Sequence, residues 1–70
     1  MNKKDIIHEL EKRIVTNARL MTAHNELTHN DMTRIHATIV DELMELLATI
    51  NNVTTTTQHT NTWNKYNLWK

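Results

Sequence analysis

The chain has 70 residues, of which 39% are hydrophobic and 23% charged, and its formal net charge is zero. It contains no Gly, Pro, Cys, Phe or Ser, which excludes a disulfide scaffold, a cysteine-based zinc module, a P-loop and a Rossmann fingerprint. Tight β-hairpins usually need Gly at positive φ, so the composition favours one small all-α domain.

The first predicted element is a helix over residues 3–28. Asn2 is a good N-cap, and Asp5 places negative charge in the first turn. Apolar residues then recur at steps of three and four, which is the helical period. These are Ile7, Leu10, Ile14, Ala18 and Met21, with Ile6, Leu20 and Leu27 widening the stripe.

A turn is predicted at residues 28–31, where Asn30 is a suitable N-cap and Asp31 supplies charge to the next helix. Because neither Gly nor Pro marks this turn, one continuous helix is the alternative.

The second predicted helix covers residues 31–51. Its apolar residues span about half of the helix circumference, more than on an ordinary surface helix. Its main stripe is Met32, Ile35, Ile39, Leu43, Leu46 and Ile50, flanked by Val40, Met44 and Leu47. One neighbouring helix cannot cover so wide an apolar surface, so the pattern predicts self-association or a protein partner.

The C-terminal part of the chain has a different character. Residues 53–62 are polar and rich in Thr, with no helical stripe, and are predicted to be an extended linker. Residues 63–70 form an aromatic tail, extended or with a short helical turn, in which Trp63, Tyr66 and Trp69 are spaced by three. Such residues are enriched at binding hot spots. The tail is predicted to fold back on the helices, to anchor the chain on another protein, or to stack on nucleic-acid bases.

The elements together predict a two-helix antiparallel hairpin over residues 1–52 that carries the tail and assembles into a helical bundle. In a hairpin that turns near residue 30, His24 lies opposite His36. Imidazole is the commonest metal ligand, so this pair is a candidate metal site, but no two histidines stand at i and i+4. A hydrogen-bonded polar layer that fixes the helix register is the favoured interpretation, and no metal or cofactor is expected.

Catalysis has little support, because Ser and Cys nucleophiles are absent and the Thr, His and acidic residues match no triad. We expect a non-enzymatic protein-binding module, encoded by a phage or mobile element, that docks on a larger macromolecule and inhibits or modulates it. The residues expected to contact the partner are aromatic (Trp63, Tyr66, Trp69), apolar (Val40, Met44, Leu47) and acidic (Asp41, Glu42, Glu45).

Two other functions are kept as alternatives. The chain could be a structural subunit of a virion or other assembly, whose tail latches neighbouring subunits, or an RNA- or DNA-binding regulator. Zero net charge argues against a nucleic-acid partner, because phosphate binding needs a basic excess. The apolar runs fall short of the ~20 residues of a membrane span, so a cytoplasmic location without membrane contact is expected.

Overall fold

The computed structural model describes residues 1–69, and these contain three helices and no strand. The helix α1 spans Lys3–Glu26, α2 spans Asn30–Asn51 and α3 spans Thr55–Tyr66. Because so short a connection joins α1 to α2, the two helices are antiparallel neighbours. The all-α prediction and the break between the first two helices are therefore confirmed, and the single continuous helix is excluded.

The two long helices begin differently. At α1, the Asn2 side chain accepts a hydrogen bond from the Asp5 backbone N–H at 2.9 Å, which is the predicted cap. At α2, the cap residue is His29 and makes no side-chain cap bond. The predicted Asn30 cap is thus wrong, because Thr28 already reverses the chain in the left-handed conformation and the helix starts one residue earlier.

All three helices end in the same motif. A residue at positive φ follows each helix: Thr28 at 58°, Asn52 at 56° and Asn67 at 54°. The next N–H bonds to the carbonyl five residues earlier, from His29 to His24 at 2.8 Å, from Val53 to Ala48 at 3.0 Å and from Leu68 to Trp63 at 2.9 Å. This is the Schellman pattern, which usually employs Gly. Because this chain has no Gly, the positive-φ position is occupied by Asn after α2 and α3 and by the β-branched Thr28 at the hairpin turn.

The third helix corrects the prediction for the C-terminal part. An extended linker over residues 53–62 is wrong, because Thr55–Tyr66 is helical. The Thr54 hydroxyl caps this helix by accepting from the Thr57 N–H at 3.1 Å. Thr is a poor helix former, so the helix depends on its packing. The fold is therefore a hairpin covered by a third helix rather than a hairpin with a tail.

Polar pairs join α3 to the end of α2. The Asn51 amide donates to Gln58 Oε1 at 2.8 Å, and the Gln58 amide donates to Thr62 Oγ1 at 2.9 Å. Gln58 and Thr62 are 4% and 1% exposed. Since buried polar groups are costly without partners, these bonds are what allow a polar helix to close over the hairpin.

The core lies where the three helices meet. Its buried apolar residues are Ile14, Ala18, Val40, Met44, Leu47 and Trp63. On α2, the core is therefore built from the flanking row and not from the predicted main stripe, of which no member is fully buried. The position of α3 is the reason. Because α3 packs on one side of the hairpin, the α2 residues that face both α1 and α3 become buried, and the main stripe does not face α3.

Candidate functional site

Large apolar side chains are exposed on the side of the hairpin that α3 does not cover. At about 100° per residue, Ile35 lies about 180° around α2 from the buried Met44, and Leu20 lies about 180° around α1 from Glu11, which contacts α3. We call this surface the open face. Its exposed members are Ile6 (39%), Leu20 (40%), Leu27 (62%), Met32 (39%), Ile35 (51%) and Leu46 (55%). The half-buried Ile39 and Ile50 lie on the same side of α2, whereas the half-buried Leu43 packs against the core.

Charge is distributed unevenly around the open face. On α1, the exposed Arg13 interrupts the apolar residues. On α2, Asp41, Glu42 and Glu45 form an exposed acidic strip beside the face. Within residues 1–69, the ion pairs are Glu9–Lys12 and Glu11–Lys65. The acidic strip and Arg13 therefore make no ion pair in that part of the chain.

The structure separates the predicted contact residues into two groups. Val40, Met44, Leu47 and Trp63 are at most 8% exposed and pack in the core, so a partner could reach them only if the helices separated. Asp41, Glu42 and Glu45 are exposed, Trp69 is 58% exposed, and Tyr66 is half-buried. The open-face residues were predicted as apolar stripe, and only the position of α3 reveals which of them stay exposed.

The aromatic residues pack on their own chain. Trp63 stacks on His59 with ring centroids 4.1 Å apart, and Trp69 meets Trp63 edge-on at 6.4 Å. The Trp69 indole N–H also donates to Asn64 Oδ1 at 2.7 Å. Trp63 also borders an open cleft of about 510 Å³. The cleft is lined by residues of α1, among them Arg19, and by residues at the C-terminal end of α3. Of the three alternatives for the tail, the geometry thus favours folding back.

A buried carboxylate ties α3 to α1. Glu11, 7% exposed, accepts hydrogen bonds from Lys65 Nζ at 3.0 and 3.1 Å and from the Tyr66 hydroxyl at 3.0 Å. The bond to Glu11 and its negative charge raise the pKa of Lys65 against an opposing effect of desolvation. Desolvation, followed by the bond to Glu11, raises the pKa of Tyr66. The three groups satisfy one another, so this cluster is a structural link.

Three histidines meet at the turn end of the hairpin. His24 stacks on His36 with centroids 5.4 Å apart and ring planes within 10°, which confirms that the two lie opposite each other. The His36 Nδ1–H donates to Asn17 Oδ1 of the side-chain amide at 2.9 Å, and His24 Nδ1 lies 3.2 Å from His29 Nδ1. Within residues 1–69, no three His, Asp or Glu side chains converge on a metal-sized site. The arrangement is a hydrogen-bonded polar layer.

The described helices include none that is long and apolar enough to cross a membrane. Comparison of the chain with protein-family models, with curated proteins and with solved structures finds no match. The open face is therefore the feature from which a function can be argued.

Proposed function

We propose that the chain is a non-enzymatic protein-binding module and that another polypeptide covers its open face. The observation that carries this proposal is the grouping of large exposed apolar residues on one side of the hairpin, while α3 covers the other side. Contiguous apolar patches beyond a few hundred Å² are rare on monomeric proteins and are typical of interaction sites.

The small size of the core supports the same proposal. Only eight apolar residues are buried among those described, and chains of this length rarely obtain more than ~3–5 kcal/mol from their own core. Each Å² of apolar surface that a partner removes from water adds about 25 cal/mol. Covering the open face would therefore strengthen a fold that has little stability to spare.

In this function the chain docks on a larger macromolecule and modulates it by occupying part of its surface. The acidic strip of Asp41, Glu42 and Glu45 complements a basic partner surface, which favours fast and specific association. Trp69 is the aromatic side chain that a partner can reach without unfolding α3, since it is 58% exposed. An acidic strip on a chain of zero net charge is a poor match for nucleic-acid phosphates.

The test is affinity capture from extracts of the source cells with the tagged 70-residue chain. The wild type is compared with Ile35→Lys and with Thr60→Lys, which adds the same charge at an exposed polar position of α3, away from the open face and the acidic strip. We expect the wild type and Thr60→Lys to retain the same protein, and Ile35→Lys to lose it by roughly tenfold or more. Far-ultraviolet circular dichroism checks that all three are equally helical. Equal capture by all three chains, or capture by none, would contradict the proposal.

A further inference from the structure

The two halves of the open face differ in a way that makes them complementary. The α2 half is densely apolar, with Met32, Ile35, Ile39, Leu46 and Ile50, and the acidic Glu42 lies about 20° from Ile35 at its edge. The α1 half has fewer apolar residues, Ile6, Leu20 and Leu27, and the polar Glu9, Arg13 and Asn17 stand between them. Glu9 is paired with Lys12 of its own helix, so Arg13 is the charge of α1 that can complement the acidic edge of α2.

The register of the hairpin places these halves level with each other. His24 stacks on His36, and Asn17 bonds to His36, so residues whose numbers add up to about 53–60 lie at the same height along the antiparallel helices. Leu20 is therefore level with Ile39. By the same count, Leu27 is level with Met32, and Ile6 with Ile50.

A two-fold axis parallel to the helices keeps every residue at its own height while it places α1 of one copy over α2 of the other. The apolar residues of α1 then meet apolar residues of α2 at each level, and all four neighbouring helices are antiparallel, as in most helical bundles. An axis across the helices would instead stack α1 on α1 and α2 on α2, which brings two acidic strips together.

Charge favours the first arrangement. Helix α2 carries Asp31, Asp41, Glu42 and Glu45 against the single basic Arg34, whereas α1 carries five Lys or Arg and four acids. Like charges that face each other across an interface are destabilising. Packing α1 on α2 of another copy brings Arg13 towards the acidic strip, and Arg13 makes none of the ion pairs within residues 1–69.

The open face runs along both long helices of a molecule that is 38 Å long. A standard dimer interface buries about 800 Å² on each partner, so a dimer formed through this face has to cover α1 and α2 together. We propose that the open face binds a second copy of this chain, with α1 of each copy packed on α2 of the other. This inference rests on the proposed function, because it names the occupant of the same face. Trp69, which packs beside Trp63 of α3 and is 58% exposed, remains outside the dimer for a larger partner.

The first experiment measures the oligomeric state of the full chain by sedimentation equilibrium from micromolar to submillimolar concentration. We expect a monomer–dimer equilibrium that Ile35→Lys weakens by roughly 100-fold, because a lysine is then buried in an apolar interface. Thr60→Lys adds the same charge on the exposed side of α3, away from the face, and changes the dissociation constant by about twofold or less. A wild type that stays monomeric, or a dimer that Ile35→Lys leaves intact, overturns the inference.

The second experiment distinguishes the two packings. The natural chain has no Cys, so Leu20→Cys and Ile39→Cys each introduce a single thiol into a clean background. Equal amounts of the two variants are mixed and oxidised, and mass spectrometry counts the disulfide-linked pairs. We expect the mixed pair to exceed the statistical proportion. Self-linked Leu20→Cys and Ile39→Cys pairs in excess would show like helices together and overturn the proposed packing.

Failure of the inference is distinguishable from failure of the proposed function. A monomeric wild type that still captures a different protein, and loses it on Ile35→Lys substitution, refutes the second copy as occupant but supports the binding module. A monomeric wild type whose captured proteins are unaffected by that substitution refutes both.

Discussion

The two faces of the helical hairpin differ in what covers them, although the same two helices supply both. On one face, α3 closes over Met44, Leu47 and Trp63, which are at most 8% exposed. Within residues 1–69, every buried side-chain nitrogen and oxygen has a hydrogen-bond partner. On the other face, Ile35 and Leu46 are more than half exposed. A third helix of 12 residues covers one face of the hairpin, and residues 1–69 contain no fourth helix or strand that covers the second.

This comparison separates residues that hold the chain together from residues available to a partner. Substitutions on the covered face should cost stability in the isolated chain, because they leave cavities or unpaired polar groups. Substitutions on the open face should leave the isolated chain nearly unchanged, because surface changes usually stay within about 0.5 kcal/mol.

The largest effect is expected at Trp63. Replacing this buried side chain by Ala removes its contacts with His59 and the core, which costs about 3–5 kcal/mol. Because a chain of this size obtains about as much from its whole core, we expect Trp63→Ala to be largely unfolded without denaturant. The measurement is urea unfolding followed by circular dichroism, in which this variant should show no folded baseline. Trp69→Ala is the matched control, because Trp69 is mostly exposed, and it should cost about 1 kcal/mol or less. Equal losses from the two variants would mean that α3 does not bury Trp63 as described.

A smaller effect is expected at the carboxylate that joins α3 to α1. Glu11→Gln keeps the shape of the side chain but removes the charge that Lys65 and Tyr66 bind, so we expect a loss of about 1–2 kcal/mol in the free energy of unfolding. Glu9→Gln is the control, because Glu9 makes an exposed ion pair with Lys12, and such pairs contribute about 0–1 kcal/mol. If Glu9→Gln costs as much as Glu11→Gln, the hydrogen bonds of Glu11 contribute no more to the free energy of unfolding than an exposed ion pair does.

The same comparison explains which parts of the fold were predictable. The apolar period of three and four residues predicts both long helices, the Asn2 cap needs only local sequence, and the antiparallel hairpin places His24 opposite His36. These features depend on patterns within one element or on a short connection. They require no knowledge of how a distant segment packs.

Helix α3 could not be found in this way, because its buried residues before Trp63, Gln58 and Thr62, are polar. Gln58 and Thr62 are spaced by four, as on one helix face. Because both are polar, a search for apolar residues at the helical period does not detect them. Their burial depends on Asn51 and on each other as hydrogen-bond partners. Without α3, the second helix shows two adjacent apolar rows, and nothing in the sequence decides that Met44 enters the core while Ile35 stays exposed. The open face results from the burial of the row that contains Met44 rather than the row that contains Ile35.

A stabilising effect is expected at the hairpin turn. Thr28 has φ of 58°, a conformation that costs a non-Gly residue roughly 1–2 kcal/mol. We therefore expect Thr28→Gly to raise the free energy of unfolding by about 1 kcal/mol, allowing for the greater flexibility of unfolded Gly. Thr38→Gly, within α2, should have the opposite sign and cost about 0.3–0.5 kcal/mol, because Thr is itself a poor helix former. If both substitutions destabilise the chain, the turn is not strained at Thr28.

The smallest effect is expected in alkali, on the covered face. The raised pKa values of Tyr66 and Lys65 mean that the folded chain holds these protons more tightly than the unfolded chain, whose groups titrate near 10.0 and 10.5. The contribution of both groups is therefore complete below about pH 10 and declines as the pH rises through their folded values. The decline should be small and should shrink with added salt, because the Lys65 side chain is 59% exposed.

Because Tyr66 is the single tyrosine of the chain, the absorbance of phenolate reports its ionisation directly. We expect the midpoint in the folded protein to lie above 10.0 and to fall in Glu11→Gln, where the negative neighbour is lost. Lys12→Gln, which alters an exposed ion pair on the same helix, should leave the midpoint unchanged. A folded-state midpoint equal to the unfolded value of 10.0 would show that the Tyr66 hydroxyl does not bond to Glu11. The covered face would then be exposed to solvent near the C-terminal end of α3, as the open face is along its length.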